Sequence, residues 1–441
     1  MPNGYLSVAT FALLIQGMSV YFFSALLKSD AMWIPDGTAV YYALHLDYLV
    51  TPFGLWFRQF ETILPGLTYA VWGLELIGPI LIFSPLLHRP LRAAIMAAFI
   101  VFHIGLVLCL EIGIFPLISI IMNLAFMPGW MWDRLAKALK RDAQDGLVIW
   151  YDRDCVFCLK TGRLLKIFLF LDRVPLAPAQ DDPRIGGLLT AHNSWVVTSS
   201  DGDTLKWDAM CRVVAASPVF WLLATVLAWR PLAALGDRLY AWVADNRPCL
   251  AAFSERFFPW RSRRIRPTIV GSLLATAFLA FITVQNVSTV PATAFRLPKT
   301  FTVVRQFFGL YQFWTMFAPS PEVVSPWPII EGKLKDGTIV DVYNHKPGAP
   351  SFARPEIVSA VYANYRWRKY LSNLEDQTYL TRKQQLAINY SKYLCRLWNT
   401  DTPRQHRLWI LTITFNVEET PLPGAAKTIE TREVWTHDCF K

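Results

Sequence analysis

Charge is scarce in this chain. Of its 441 residues only 17% are Asp, Glu, Lys or Arg, against about 25% in a typical soluble protein. Hydrophobic residues make up 54%, more apolar surface than a soluble enzyme hides without an unusually large core, and a membrane accounts for it more simply. Paired cysteines are scarce too. There are seven cysteines and a single Cys-x-x-Cys, Cys155 with Cys158. A zinc site built on it needs a second pair at suitable spacing, but Cys211 and Cys249 lie far apart, and His406 and His437 lack ligand spacing, so no metal is expected. The first apolar run, 8–27, has no basic n-region and no small-residue cleavage site, which marks a retained helix and not a signal peptide.

What is present is a set of long uncharged runs and many aromatics, with 18 Trp, 16 Tyr and 29 Phe. Such aromatics collect at bilayer interfaces. Residues 8–27 reach the roughly 20 needed to cross a bilayer. Further runs at 65–87 (interrupted by Glu75), 93–110, 112–132 and 268–284 bring the expectation to about five spans. A shorter run, 213–229, is broken by Pro218 and suits a buried or interfacial helix better than a span. The net charge of +10 is clustered beside these runs, at His88–Arg92, at 134–141 and between Arg256 and Arg266. Nucleic acid is not the expected partner of clusters so placed. Basic clusters next to spans stay on the cytoplasmic side, which predicts 134–267 inside the cell and the loop 28–64 and the last 150 or so residues outside.

The Cys-x-x-Cys sits where a strand-like LVIWYD meets a helical pattern carrying Leu164, Leu165, Ile167 and Phe168 on one apolar face. Backbone N–H groups of a first helical turn stabilise a thiolate there, making the N-terminal cysteine nucleophilic, and the second thiol closes the disulfide within one turn. Two core cysteines without chemistry are the plainer alternative, but a cytoplasmic Cys-x-x-Cys beside a strand–helix pattern points to redox exchange. Asp152 reads equally as a proton relay and as a turn acceptor. YDRDCVFC (151–158) resembles the Asp-x-x-Cys-x-x-Cys signature of the DCC family of thioredoxin-like thiol–disulfide oxidoreductases. The likeness runs through SWVVTSSDG (194–202), a helix from Trp207 and YAWVADNRPCL (240–250), with Arg153 standing where the family has Gly. It implies a thioredoxin-like domain at 144–256 in which Asp152, Cys155 and Cys158 form the site and dithiol exchange needs no cofactor.

A second likeness covers the N-terminal part. YFFSALLKSDAMWIPDGTAVYYAL (21–44) and FHIGLVLCLEIGIFPLISIIMNLAF (102–126) resemble membrane segments of the vitamin K-dependent gamma-glutamyl carboxylase family, shared by a horizontally transferred transmembrane (HTTM) domain. YQFWTMFAPSP (311–321) is similar to a stretch that follows the helices in such proteins. This resemblance implies Lys28 as a base, His103 as an intramembrane polar contact and a reduced quinone as cofactor. The residues themselves leave Lys28 open to being a snorkelling lysine at a helix end. His103 and Glu75 are candidates because ionisable groups at membrane depth are functional by default, with a plain interhelical hydrogen bond as the alternative. The family has further helices before its lysine segment, so a membrane partner supplying them is one expectation.

Residues 288–441 carry more charge. WPIIEGKL and TIVDVYNH flank a hairpin signal at Lys335–Gly337, 354–371 and 380–398 read as helices, and 407–419 and 428–440 read as paired strands. Cys395 and Cys439 would lie on the oxidising side, where a structural disulfide is open to them. The expected fold is thus a polytopic α-helical membrane protein of the bacterial inner membrane: a partial carboxylase-like transmembrane domain at 1–133, an inserted thioredoxin-like α/β domain at 144–256, a further span at 268–287, and an extracytoplasmic α+β domain at 288–441. The leading functional expectation is a membrane-anchored thiol–disulfide oxidoreductase exchanging electrons with a protein thiol, disulfide or reductant. A quinone-dependent carboxylase or epoxidase-like enzyme and a non-enzymatic membrane scaffold are the alternatives.

Overall fold

The computed structural model describes residues 7–259, 268–375, 380–422 and 425–441. Of the basic run between Arg256 and Arg266, only the first residues lie within that range. Two compact units emerge, one discontinuous, from 1–128 with 267–441, and one continuous, 129–266.

Among the described residues of the first unit, four helices are long and apolar enough to cross a membrane: Val8–Leu27, Glu61–Leu81, His88–Cys109 and Ile269–Val287. Two of the starts are capped by side chains. Ser7 Oγ accepts from Thr10 N at 3.2 Å and Thr10 Oγ1 accepts from Ser7 N at 2.9 Å, a reciprocal cap for the first helix. Thr268 Oγ1 accepts from Gly271 N at 3.1 Å and caps the last. The expected run 112–132 is not one helix. It breaks into Phe115–Leu124 and Gly129–Ala138 at Pro128, which has no N–H to donate and disfavours helix in the residue before it. The run 65–87 likewise stops at Leu81. The first helix packs against Leu64–Leu81 and Ile269–Val287, and His88–Cys109 against Phe115–Leu124.

The same unit carries a five-stranded antiparallel sheet ordered Lys346–Pro347, Ile339–Asp341, Val324–Leu334, Leu408–Glu419, Thr428–Asp438. Trp327, Ile330, Leu411, Ile413 and Phe415 on the two long central strands build its core with Leu371, Leu374 and Leu394 from helices Tyr365–Glu375 and Leu380–Asn399. The sequence pattern predicts a helix from residue 354, but it starts at Tyr365, where Asn364 Oδ1 accepts from the N–H groups of Arg366 and Trp367; before it lies a single 3-10 turn, Val358–Val361. Leu46 and Tyr48, from the loop between the first two long helices, are part of this core. Asp47 between them is buried and paired with Arg58, Arg354 and Lys427, and Arg354 and Lys427 also pair with buried Glu418. Sequence blocks that read as separate, 1–133 and 288–441, therefore share one hydrophobic core.

The second unit folds around a four-stranded sheet ordered Leu176–Pro178, Val148–Tyr151, Val196–Ser199, Gly202–Leu205. The first pair is parallel, joined across helix Val156–Phe168, and the other two are antiparallel. Ile149, Val197, Ala209 and Val213 form the centre of the core. The 213–229 run does not make a spanning helix; it splits into the end of Lys206–Ala215 and a short helix, Trp221–Leu227, around Pro218.

Candidate functional site

The strand Val148–Tyr151 is anchored by fully buried Ile149, and the chain then turns through Asp152–Asp154 into helix Val156–Phe168. Cys155 is the N-cap of that helix, its backbone extended. Its Sγ accepts from Cys158 N at 3.1 Å, and its carbonyl accepts from Cys158 N at 3.0 Å and Leu159 N at 3.2 Å. Cys155 and Cys158 are joined as a disulfide with Cα atoms 5.2 Å apart. In the dithiol form the same first-turn N–H groups and the positive end of the helix favour negative charge on Cys155.

Asp152 is held as a turn acceptor. One carboxylate oxygen accepts from Asp154 N at 3.2 Å and from Gln180 Nε2 at 2.7 Å. Arg153 donates its backbone N–H to Gln180 Oε1 at 3.1 Å and its guanidinium pairs with Asp181, which ties the turn to the segment after Leu176–Pro178.

Beside Cys158 lies an apolar cavity of about 250 Å³, walled by Phe157, Leu165, Trp207, Leu239, Tyr240 and Val243 among others. Asp152 reaches its edge. Gly236 allows helix Arg230–Asp245 to approach the indole of Trp207, which any Cβ at that position would strike. Trp207 Nε1 donates to Leu227 O at 3.1 Å. The residues of the 240–250 pattern clamp the wall: Trp195 N donates to Tyr240 Oη at 3.0 Å, and Arg247 donates to Asn193 O at 2.7 Å. Sequence reading missed Lys160. Its ammonium is buried two residues after Cys158 and donates to Ser254 O at 2.8 Å and to Phe258 O, carbonyls at the end of helix Arg247–Phe257. A lysine inside an apolar helical stretch was the available signal.

The second group of expected residues divides in two. Lys28 caps the C-terminus of helix Val8–Leu27 and is buried in an ion pair with buried Glu75. The Trp33 ring lies 4.5 Å from Lys28 Nζ, and its indole donates to Phe317 O at 3.0 Å, so residues 28–33 and 317 meet here. His103 belongs to a different chain of contacts. Its Nε2 lies 2.7 Å from Tyr21 Oη, which accepts from Asn123 Nδ2 at 2.7 Å; that amide also donates to Ser119 O at 2.8 Å. No direct contact joins His103 to Lys28 among the described residues. Tyr21 and Asn123 carry no local motif and were invisible in the sequence.

The other cysteines differ sharply. Cys395 and Cys439 form a second disulfide, while Cys109, Cys211 and Cys249 are free. Burial raises the Cys211 thiol above its ordinary pKa, assisted by Asp208 and Asp237. Among the described residues no group of three or more His, Cys, Asp and Glu side chains is placed to hold a metal ion; His406 instead lies 2.9 Å from Asp336.

No protein-family model matches the chain, no curated protein matches it, and no solved structure matches its fold. The class that fold and site define is therefore structural: among the described residues, four strongly apolar long helices, two sheets, and a helix-capping Cys-x-x-Cys beside an apolar cavity.

Proposed function

We propose that this protein is a membrane-anchored thiol–disulfide oxidoreductase whose working pair is Cys155 and Cys158. The observation that carries this reading is the placement of the disulfide at a helix N-cap with an apolar cavity against its second cysteine. In the dithiol form, Cys155 thiolate attacks one sulfur of a substrate disulfide, forming a mixed disulfide and releasing the other substrate thiolate. Cys158 thiolate then attacks Cys155 Sγ, which closes the intramolecular disulfide and releases the second substrate thiolate. A thiol reductant must return two electrons and two protons to reset the pair. Asp152 acts as a positioning residue, holding the turn that presents Cys155.

The motif likeness to the DCC family supports the same chemistry. The long apolar helices support insertion of the chain in a bilayer, and the basic clusters support a cytoplasmic site with a protein disulfide or reductant as partner and the C-terminal sheet domain outside. The lysine-base reading with a quinone gains no observation of its own, because Lys28 is enclosed by Glu75 and Trp33. In the test, full-length Cys158→Ser protein, reduced and mixed with a disulfide-bonded protein substrate, should accumulate a mixed disulfide through Cys155, and Cys155→Ser should not. Equal trapping in both variants, or none in either, would overturn the assignment.

A further inference from the structure

Helix Trp221–Leu227 lacks a polar face. Its inner side is accounted for, with Phe220, Ala224 and Leu227 packed on the core of the second unit. Its outer side carries Leu222, Leu223 and Val226, spaced i, i+1 and i+4, all exposed; exposed Val219 lies in the turn before it and Trp229 follows. Leu222 is 60% exposed and Trp229 63%. An ordinary surface helix turns charged or polar residues outward at these positions. The one hydroxyl, Thr225, donates to its own helix at Leu222 O, 2.7 Å away. The apolar surface continues onto the end of the cysteine-bearing helix, where exposed Phe168 stacks on Phe220 with ring centroids 5.0 Å apart, beside exposed Ile167 and Phe170.

Basic groups border the Trp221–Leu227 side of this surface, and Asp172 lies two residues beyond Phe170 at its other end. Between Asp208 and Asp237 the sequence contains no acidic residue. The Arg141 guanidinium lies 4.4 Å from the Trp221 ring, and exposed Arg230 follows Trp229 directly. Outward aliphatic side chains, Trp at the edges and Arg beside them are what an anionic lipid interface takes up. Only residues 259–268 separate Phe258 from the apolar helix Ile269–Val287 in the sequence.

We propose that the face formed by Val219–Trp229 and the end of helix Val156–Phe168 docks the redox domain on an anionic lipid surface. This rests on the reading that the long apolar helices lie in a bilayer. Phe168 and Cys155 are at opposite ends of one helix, separated by about 20 Å at 1.5 Å per residue. Docking through Phe168 therefore holds the cysteine pair away from the lipid, toward water and a soluble thiol partner.

The test uses the full chain in nanodiscs containing anionic lipid, with Cys109, Cys155, Cys158, Cys211 and Cys249 replaced by serine and a spin label attached at Leu222→Cys or, separately, Val226→Cys. Leu274→Cys in the apolar helix and Ala191→Cys on an exposed helix serve as lipid and water references. The expected result is that dissolved oxygen relaxes the labels at 222 and 226 more strongly than an aqueous nickel chelate does, as at 274 and opposite to 191. Labels at 222 and 226 that meet the chelate as readily as 191, while 274 reports lipid, would overturn docking and leave the membrane reading standing. Labels shielded from both reagents would mark a protein contact and also overturn it. A label at 274 that reports water would overturn both readings.

Discussion

The two disulfides put one kind of bond in opposite settings. Cys155 and Cys158 are three residues apart, half-buried at a helix start, with the N–H of one residue directed at the sulfur of the other. Cys395 and Cys439 are 44 apart; Cys395 is buried in the sheet-domain core, and the bond ties helix Leu380–Asn399 to the residue after the last strand. Closing a three-residue loop removes little chain entropy, whereas closing a long one removes much more. By loop closure alone the first bond contributes less to folding than the second, which fits the exchange role proposed for it. Spacing and position at an element boundary decide which role a disulfide takes.

The comparison breaks most visibly at Cys155. Cys155→Ser should abolish turnover of a protein disulfide by the full chain, since the nucleophile is lost, at a stability cost of about 1.6 kcal/mol by the loop-entropy relation for a separation of three. Cys439→Ser should do the reverse, costing about 4 kcal/mol of stability by the loop-entropy relation for this separation with exchange activity retained; denaturant unfolding followed beside the activity assay reads both.

A third prediction concerns the ion-pair group that binds the loop Leu46–Tyr48 to the sheet. Asp47→Asn leaves Arg58, Arg354 and Lys427 without their shared buried carboxylate, and should cost about 3 kcal/mol. Burial alone would raise the Asp47 pKa, but Arg58, Lys427 and Arg354 outweigh it and hold the carboxyl below its ordinary value. A depressed folded pKa stabilises above the unfolded value of about 4 and is lost as pH falls through the folded one. Wild-type stability should therefore drop below about pH 4, and this part of the pH dependence should vanish in Asp47→Asn, as acid titrations of both proteins would show. The smallest effect is at Gly236, where Gly236→Ala drives a methyl group into Trp207 and should destabilise the second unit by about 1–3 kcal/mol. Hydrogen exchange in helix Arg230–Asp245 reads this, with the Cys395–Cys439 region unchanged.

What the sequence made legible was local. A Cys-x-x-Cys between a strand pattern and a helix pattern announces its own position, because strand, turn and first helical turn span only residues 148–158. The long apolar helices show in runs of one composition. What it hid depends on register between distant segments. Lys28 and Glu75 appear as two separate charges, and only the packing of helix Val8–Leu27 on Leu64–Leu81 makes them one pair. Tyr21 and Asn123 join His103 for the same reason. Leu46 and Tyr48 read as loop residues, although the sheet-domain core holds them. The break of 112–132 was signalled by Pro128, but its uniform hydropathy masked that signal.

The central claim is tested most directly by titrating the full chain, in membranes, against mixtures of reduced and oxidised glutathione, quenching with acid, and tagging free thiols for mass analysis of each cysteine. Cys155 and Cys158 should pass together between dithiol and disulfide across the titration while Cys395 and Cys439 stay joined throughout. Opening of both pairs over the same range, or a Cys155–Cys158 bond that never opens, would contradict it.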